Sequence, residues 1–325
     1  MGSVSPSFSG SSFSERYPNS VTIFEMGPRD GLQNEQADIQ LEDKIRLVEG
    51  LANAGLKKIE TGAFVSPKWV PQMADSSELF KRITRKPGVV YTALTPNMKG
   101  FEAAVECGAD EIAVFGAASE TFTQKNINCS IAESIERFVP IIEAAKEKGI
   151  PVRGYVSCVV GCPYEGEVEP AKVAEVAKIL YDLGCYEVSL GDTVGVGTPI
   201  KVQRMLSAVF EHVPVEKVAV HFHDTFGMAL SNILMALQMG ISTIDSSVAG
   251  LGGCPYAGCA SGNVGTEDVV YLLHGMGIET GIDLAQLAQV GRDITKAIGK
   301  DPQSKIAKAI MYGNVAPQNM VKTTF

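Results

Sequence analysis

A recurring helix–glycine–strand arrangement constrains the fold of this 325-residue chain more than any other feature. Five times a helical pattern ends in glycine and a β-rich run follows directly, with the glycines at Gly55, Gly108, Gly149, Gly184 and Gly240. Glycine just after a helix is the usual left-handed cap, because only glycine adopts a positive φ without a Cβ penalty. A helix that ends this way and leads into a strand is the αβ step of a repeating α/β unit.

Eight short, β-branched strands complete this repeat. We predict them at Val21–Phe24, Lys58–Thr61, Val89–Thr92, Glu111–Val114, Val152–Tyr155, Tyr186–Ser189, Val218–His221 and Thr243–Ser246. Eight such units match an α/β fold of the TIM (β/α)₈ barrel type, which needs roughly 250 residues. The rival is an open doubly wound sheet, whose first strand normally leads into a Gly-rich phosphate turn. The segment Met26–Gly31 is not such a turn, so the barrel is favoured.

The two ends of the chain differ from this repeat. Residues 1–20 are rich in Ser, Gly and Pro and predict a disordered N-terminal arm. From about Asp283 onward, apolar residues at helical spacing predict an amphipathic helix that packs on the barrel or on a partner subunit. These residues are Leu284, Leu287, Val290, Ile294 and Ile298. We expect a single catalytic domain over residues 21–325, including extra C-terminal helices over about residues 280–325.

Composition excludes several classes of partner. The net charge of −9 argues against general binding to nucleic acid or to a membrane surface. No apolar run approaches the ~18 residues of a membrane span. Seven cysteines are scattered without a disulfide-like framework, and no secretory leader is recognisable. We therefore expect a reducing compartment, the cytoplasm.

Two of the four histidines, His221 and His223, lie one residue apart at the end of the seventh predicted strand. Residues i and i+2 of a strand point to the same face, so both imidazoles can share one ion while Phe222 faces the other side. Neutral imidazole is a common ligand for transition metals. A lone histidine here would be a hydrogen-bonded core residue, but two on one face, followed by Asp224, favour a metal or catalytic site.

Polar residues also follow four of the other strands. They are Arg29 and Asp30 after the first strand, Glu60 on the second, Asp192 at the end of the sixth, and Cys254 and Asn263 after the eighth. In a TIM barrel the active site lies at the carboxyl ends of the strands. We therefore expect these side chains to converge with the two histidines.

Two imidazoles, one carboxylate and one amide oxygen, completed by waters, form a ligand set that suits Mg²⁺ or Mn²⁺. Zn²⁺ and Co²⁺ are possible substitutes. Asp30 is the predicted carboxylate ligand and Asn263 the predicted amide ligand. Asp192 is the alternative carboxylate, or a residue that only orients the ligands.

Arg29 and Cys254 each have a chemical and a structural interpretation. Arg29 beside the ion would bind a carboxylate or carbonyl oxygen and stabilise enolate charge, or it forms a buried pair with Asp30 or Glu60. Cys254 lies in a Gly-rich segment that can close as a lid, where a thiol can act as acid or base. Its alternative is a small buried thiol, the interpretation we give the other cysteines.

Several of these motifs resemble those of the 3-hydroxy-3-methylglutaryl-CoA lyase family. Gly27–Glu35 is similar to the opening motif of that family, and Ser247–Tyr256 resembles its signature loop. Ser261–Asn263 and the paired histidines also match, and the resemblance extends roughly from Val21 to Gly299. The Arg-Asp and His-x-His pairs are shared with related metal-dependent Claisen enzymes, the isopropylmalate, homocitrate and citramalate synthases. The Gly-Gly-Cys-Pro-Tyr segment favours a lyase.

The resemblance implies an enzyme that cleaves 3-hydroxy-3-methylglutaryl-CoA to acetyl-CoA and acetoacetate, in leucine catabolism and ketone-body metabolism. It implies a homodimer or higher homo-oligomer that binds an acyl-CoA substrate. The divalent cation would be held by Asp30, His221, His223 and Asn263. The catalytic set that it implies is Arg29, Asp30, Glu60, Asp192, His221 and Cys254. Arg29 would stabilise the enolate, Cys254 would act as acid–base group, and Glu60 and Asp192 would orient the other groups.

One residue departs from the family pattern. Many members have lysine after the Asn-Glu of the opening motif, where this chain has Gln36. The contact made by that lysine is therefore either missing here or supplied elsewhere, with Lys68 and Lys125 as the candidates. Two other functions stay open. One is a Claisen-condensing acyltransferase that uses acetyl-CoA and a 2-oxo acid. The other is a non-catalytic binding barrel, for which His223→Ala would change only stability.

Overall fold

Eight parallel strands form a closed barrel. The computed structural model describes residues 17–253 and 262–313. The strands are β1 (Thr22–Glu25), β2 (Lys58–Ala63), β3 (Val90–Leu94), β4 (Glu111–Ala117), β5 (Val152–Ser157), β6 (Glu187–Asp192), β7 (Val218–Phe222) and β8 (Thr243–Ser246). The first strand pairs in parallel with both the second and the eighth, which closes the barrel. The predicted TIM barrel is confirmed, and the doubly wound sheet is excluded.

Helices alternate with the strands and cover the outside of the barrel. They are α1 (Leu41–Asn53), α2 (Ser76–Arg82), α3 (Met98–Glu106), α4 (Glu120–Ile127), α5 (Ile131–Glu147), α6 (Pro170–Leu183), α7 (Pro199–Phe210), α8 (Ala229–Gln238), α9 (Thr266–Gly275), α10 (Leu284–Ala297) and α11 (Lys305–Tyr312). Side-chain caps start several of them, and Ser130 forms a full capping box with Glu133 at the start of α5. None of the described helices is long and apolar enough to cross a membrane.

The five glycines that the sequence marks as helix ends all adopt positive φ. The angles are 111° at Gly55, 76° at Gly108, 67° at Gly149, 109° at Gly184 and 94° at Gly240. At Gly55 a side chain is also excluded by space, because a Cβ would lie 2.2 Å from a backbone oxygen, that of Gly281. The αβ steps of the sequence are therefore the αβ steps of the barrel.

The C-terminal helices pack on the barrel of the same chain. Helix α10 lies against α1 and α9, and α11 lies against α9 and α10. Leu287 and Ile294 are buried in these contacts, and Val290 lies over Gly50, where an added Cβ would meet it at 2.8 Å. The apolar face of α10 thus covers this chain's own helices. Most of the predicted N-terminal arm falls in residues 1–16, outside the described residues.

The interior of the barrel contains charged side chains near the amino ends of the strands. The Arg153 guanidinium lies 4.0 Å from the centre of the Phe24 ring and donates to Glu187 and Asp245. At the same end Lys58 donates to Glu111 at 2.6 Å. We call Lys58, Glu111, Arg153 and Glu187 the barrel floor.

Candidate active site

Strand β7 and the segments after β1 and β7 bring three predicted ligands together at the opposite end of the barrel. Asp30 lies on a π-helical turn, Gly27–Gly31, that follows β1 directly. His221 is on β7, and His223 follows it and forms an isolated bridge with Asn263. Asp30, His221 and His223 each offer a ligand atom, and these atoms all lie within 4.8 Å of one another. We call these three residues the metal cluster.

Asn263 lies against this cluster through its side chain. Its Nδ2 donates to Asp30 Oδ2 at 2.8 Å and to the Leu251 carbonyl at 3.2 Å. The fourth predicted ligand is therefore in contact with the carboxylate, and its amide is held in place from the backbone side. The sequence predicted these four residues on three separate segments, and the barrel brings them together.

Each imidazole of the cluster has one nitrogen engaged elsewhere. His221 Nδ1 lies 3.3 Å from Asp245 Oδ2, while its Nε2 lies 3.7 Å from Asp30 Oδ2, beyond hydrogen-bond length. The imidazole of His223 forms a hydrogen bond with the backbone of Thr193, and its buried Nδ1 has no hydrogen-bond partner among the described residues. A buried polar atom without a partner is rare and costly. Both rings therefore have a nitrogen available for a ligand.

The charge state of the cluster suits a divalent cation. Burial lowers the pKa of His223 to about 4, so this imidazole is neutral and can act as a ligand. Burial alone would raise the pKa of Asp30, but the charge of Arg29 and the nearby imidazoles outweigh it and hold that pKa below its usual value. A carboxylate, two imidazole nitrogens and an amide form a mixed N/O set of the kind that binds Mg²⁺, Mn²⁺ and related ions. The residues present fit the cation that the sequence predicts.

Arg29 lies beside the cluster in a pair of buried ion pairs. Its Nε donates to Glu60 Oε2 at 2.5 Å, and its NH1 donates to Asp30 Oδ1 at 2.7 Å. The predicted structural pair is therefore present, and through Asp30 it places Arg29 next to the metal cluster. Burial opposes the charged form of Arg29, but Glu60 and Asp30 outweigh it and raise its pKa. The site thus carries a permanent positive charge next to the cluster.

Comparison with known proteins identifies the family. Residues 20–294 match the HMGL-like family model. The chain belongs to the HMGL-like family. It is 61% identical over 293 residues to hydroxymethylglutaryl-CoA lyase, mitochondrial, of Bos taurus, covering 90% of each chain.

Solved structures of the HMGL-like family superpose closely on this chain. Hydroxymethylglutaryl-CoA lyase from Pseudomonas aeruginosa has a TM-score of 0.90 at 58% identity, over 91% of this chain and 99% of that one. An HMG-CoA lyase from Acinetobacter baumannii, in complex with coenzyme A and 3-methylmalate, has a TM-score of 0.87 at 37% identity, over 95% of this chain and 99% of that one. The resemblance in the sequence motifs is therefore confirmed over most of the chain.

Asp192 lies apart from the cluster in this HMGL-like chain. Its carboxylate accepts hydrogen bonds from the backbone N–H groups of Gly195, Val196 and Gly197 at 3.0, 3.2 and 2.8 Å. Burial raises its pKa to about 6. Asp192 thus holds the turn after β6, which includes Thr193, the backbone partner of His223. This position favours the orienting interpretation over direct ligation.

Cys254 falls in residues 254–261, outside the described residues, but the residues on either side of that segment are described. Gly262 N–H donates to the Gly252 carbonyl at 3.0 Å, and Asn263 follows directly. A Cβ at Gly252 would lie 2.7 Å from Asn263 Nδ2. The described residues that flank this segment, Gly252 and Gly262, therefore lie next to Asn263.

Buried carboxylates accept hydrogen bonds from the turn after β8, at Val248 and Ala249, and the sequence analysis did not predict them. Glu25 Oε1 accepts from the N–H of Val248, and both carboxylate oxygens of Glu267 accept from the N–H of Ala249. Ala249 adopts a φ of 57°, a strained conformation for a residue with a Cβ. The available signal was a carboxylate next to or within an apolar run, because a buried charge requires a partner. The same signal marks Asp245 on β8.

Proposed function

We propose that this protein is a divalent-metal-dependent lyase that cleaves 3-hydroxy-3-methylglutaryl-CoA to acetyl-CoA and acetoacetate. The observation that carries the proposal is that Asp30 is shared: one carboxylate oxygen pairs with Arg29, and the other faces His221 and Asn263. A cation-binding cluster and a fixed guanidinium therefore border the same point. Retro-Claisen cleavage needs both, because charge moves from the hydroxyl oxygen to the thioester oxygen as the bond breaks.

Asp30, His221, His223 and Asn263 would hold the cation. When bound, a divalent cation supplies Lewis-acid polarisation of the substrate's C3 hydroxyl and carboxylate oxygens. Asp30 keeps its negative charge because its pKa is lowered, and His223 keeps its lone pair because burial disfavours its protonation. These two residues stay competent as ligands through the neutral pH range.

Arg29 and Cys254 have separate roles in the cleavage. A general base takes the hydroxyl proton, and the C3–O bond becomes the ketone carbonyl of acetoacetate as the C2–C3 bond breaks. The electron pair of the broken bond becomes the enolate of acetyl-CoA. Arg29 stabilises the enolate oxygen, and Glu60 holds the guanidinium through Nε. The Cys254 thiol then protonates the enolate carbon. The contact of Gly252, two residues before Cys254, with Asn263 supports this role.

The deciding experiment is an acetoacetate assay on the purified protein with and without a chelator. We expect acetoacetate from 3-hydroxy-3-methylglutaryl-CoA in the presence of Mg²⁺ or Mn²⁺ and none after chelation. CoA release from acetyl-CoA plus a 2-oxo acid, with no acetoacetate, would instead support the condensing acyltransferase. A His223→Ala variant serves as control: full activity in that variant would reject the metal site.

We propose that the acyl-CoA binds across the same end of the barrel. The coenzyme A complex of the Acinetobacter baumannii relative supports an acyl-CoA ligand. Lys68 is exposed, and Lys125 lies over the Tyr164 ring with its Nζ 5.0 Å from the ring centre. We propose that one of these two lysines takes the place of the family lysine that is absent at position 36. Lys125→Ala and Lys68→Ala should each be tested for a higher KM with kcat unchanged, which is the signature of lost ground-state binding.

We further propose that the ion is Mg²⁺ or Mn²⁺, which activity after reconstitution with each metal tests. We propose a homodimer or higher homo-oligomer, tested by light scattering, and a single domain over residues 21–325, tested by limited proteolysis.

We also propose a cytoplasmic role in leucine catabolism, and the scattered cysteines support a reducing compartment. Localisation of the tagged chain tests this assignment. A mitochondrial signal, in line with the name of the bovine relative, would reject the cytoplasmic assignment.

A further inference from the structure

Asp245 lies directly behind the metal cluster and has no role in the reaction described above. It is on β8, is 1% exposed, and accepts hydrogen bonds through both carboxylate oxygens. Oδ1 accepts from Arg153 NH2 at 2.7 Å, and Oδ2 accepts from Arg153 NH1 at 2.9 Å and from Ser189 Oγ at 2.7 Å. His221 Nδ1 approaches the same Oδ2 at 3.3 Å. Three hydrogen bonds, two from Arg153 and one from Ser189, therefore fix this carboxylate beside the imidazole.

Arg153 keeps Asp245 charged and immobile. The guanidinium is 1% exposed and also donates through Nε to Glu187 at 2.7 Å. A planar guanidinium that binds one carboxylate through two nitrogens fixes both its position and its plane. Asp245 is thus an ionised acceptor with a fixed direction.

An ionised carboxylate can only accept, so the nitrogen that faces it must carry the proton. His221 Nδ1 faces Asp245, which assigns the proton of the neutral ring to Nδ1 and the lone pair to Nε2. His221 Nε2 is the nitrogen that lies 3.7 Å from Asp30 Oδ2. Asp245 therefore selects the tautomer that directs a lone pair into the metal cluster.

A chain of hydrogen bonds through Tyr155 and Glu60 also connects the Arg153 guanidinium to Arg29. Arg153 NH1 donates to Tyr155 Oη at 3.2 Å, and that hydroxyl donates to Glu60 Oε1 at 3.1 Å. Glu60 in turn binds Arg29. The ligand His221 and the charged group Arg29 are thus positioned from one buried side chain.

We propose that Asp245, held by Arg153, is a positioning residue for the metal ligand His221: it fixes the tautomer and the orientation of the ring. The inference rests on the proposed function in one respect, that the cluster binds a divalent cation. Carboxylate partners of ligating histidines typically change metal affinity by about 10–100-fold when they are removed. We expect an effect of that size from Asp245.

A matched pair of variants separates positioning from folding. Asp245→Ala and Glu187→Ala each leave Arg153 with one carboxylate, but only Asp245 contacts His221. Mn²⁺ affinity of the metal-free protein is measured by electron paramagnetic resonance titration, with urea unfolding in parallel. We expect Asp245→Ala to bind Mn²⁺ about 10–100-fold more weakly and Glu187→Ala to bind it as the unmodified chain does, although both unfold more easily.

A loss of less than about tenfold in Asp245→Ala, or an equal loss in Glu187→Ala, would overturn the inference. If the unmodified chain binds no Mn²⁺, the proposed function itself fails, so the two failures are distinguishable. A measurement on the unmodified chain covers the case in which the variants do not fold. Nitrogen NMR of the ring atoms in the metal-free protein, which has only four histidines, reports the tautomer of His221 directly. We expect the proton on Nδ1; a proton on Nε2 would overturn the inference.

Discussion

The barrel floor and the metal cluster are both groups of buried polar side chains, at opposite ends of one barrel. At the floor, Arg153 binds two carboxylates, and Lys58 binds Glu111, so each charge has a partner of opposite sign. In the cluster, His221 Nε2 lies 3.7 Å from Asp30 Oδ2, beyond hydrogen-bond length, and His223 Nδ1 has no hydrogen-bond partner among the described residues. A satisfied network specifies the fold, whereas an unsatisfied one marks a ligand site. Asp245 is the residue that connects the two.

The largest effect is expected from Cys254→Ala, because the loss of a general acid costs about 10²–10⁴ in rate. Gly252, two residues before Cys254, lies against Asn263 and Asp30, so we expect kcat to fall while the midpoint of thermal unfolding stays unchanged. Steady-state kinetics and thermal melts measure the two quantities. Cys107→Ala, at the end of α3, is the control and should keep full activity. An unchanged kcat in Cys254→Ala would remove this thiol from the mechanism.

Arg29→Gln should lower kcat by about 10²–10³, the usual cost of removing one group that stabilises an oxyanion. The glutamine still donates a hydrogen bond but lacks the charge that neutralises the enolate. Arg85→Gln is the matched control, because Arg85 pairs with Asp110 on the exposed outer surface. A loss of less than about tenfold would mean that Arg29 is only structural.

Lys58→Met tests the floor and should change stability without changing kcat. It leaves the Glu111 carboxylate without its cation, at a cost of about 1–3 kcal/mol, less than for a fully buried pair because Lys58 is partly exposed. Urea unfolding in the presence of a chelator measures this loss, since metal binding then adds nothing to stability. A fall in kcat with unchanged stability would contradict the division between floor and cluster.

The last prediction concerns the pH dependence of stability at Glu25, a carboxylate of the cluster end whose named hydrogen-bond donors are neutral. Burial raises its pKa from 4.5 to about 7. The folded state therefore binds a proton that the unfolded state has lost, and stability should rise as the pH falls from about 7 to about 4.5. Glu25→Gln should remove this part of the pH dependence. Parallel stability curves for the two proteins between these pH values would show that Glu25 does not titrate in this range.

Much of the fold was predictable because its signals are local. A glycine after a helical pattern predicts a positive φ at that residue, as at Gly184. A β-branched run predicts a strand over the same residues, as at β7. Strand ends were less certain: β4 extends three residues beyond the predicted segment, through Gly116 to Ala117. Pairing with both neighbours stabilises residues there that have little strand preference of their own.

The residues that meet at the site were predictable, but the contacts that support them were not. Asp30, His221, His223 and Asn263 were found because strand ends of a parallel barrel converge. The structural pair predicted for Arg29 is present, with Asp30 and Glu60 as its partners, and its catalytic role stays a prediction. Asp192 was an alternative ligand, yet three backbone N–H groups occupy its carboxylate, a set of contacts that depends on the path of the turn.

The repeat, the barrel and the residue types at the carboxyl ends of its strands can be predicted from the amino-acid sequence, because each follows from short-range spacing and from the alternation of side chains along a strand. Which charged group faces which depends on how the barrel closes. Arg153, Asp245 and His221 are far apart in the chain and on three different strands, and no local pattern states that they touch. Their hydrogen bonds exist because closing the barrel places β5, β7 and β8 around one interior.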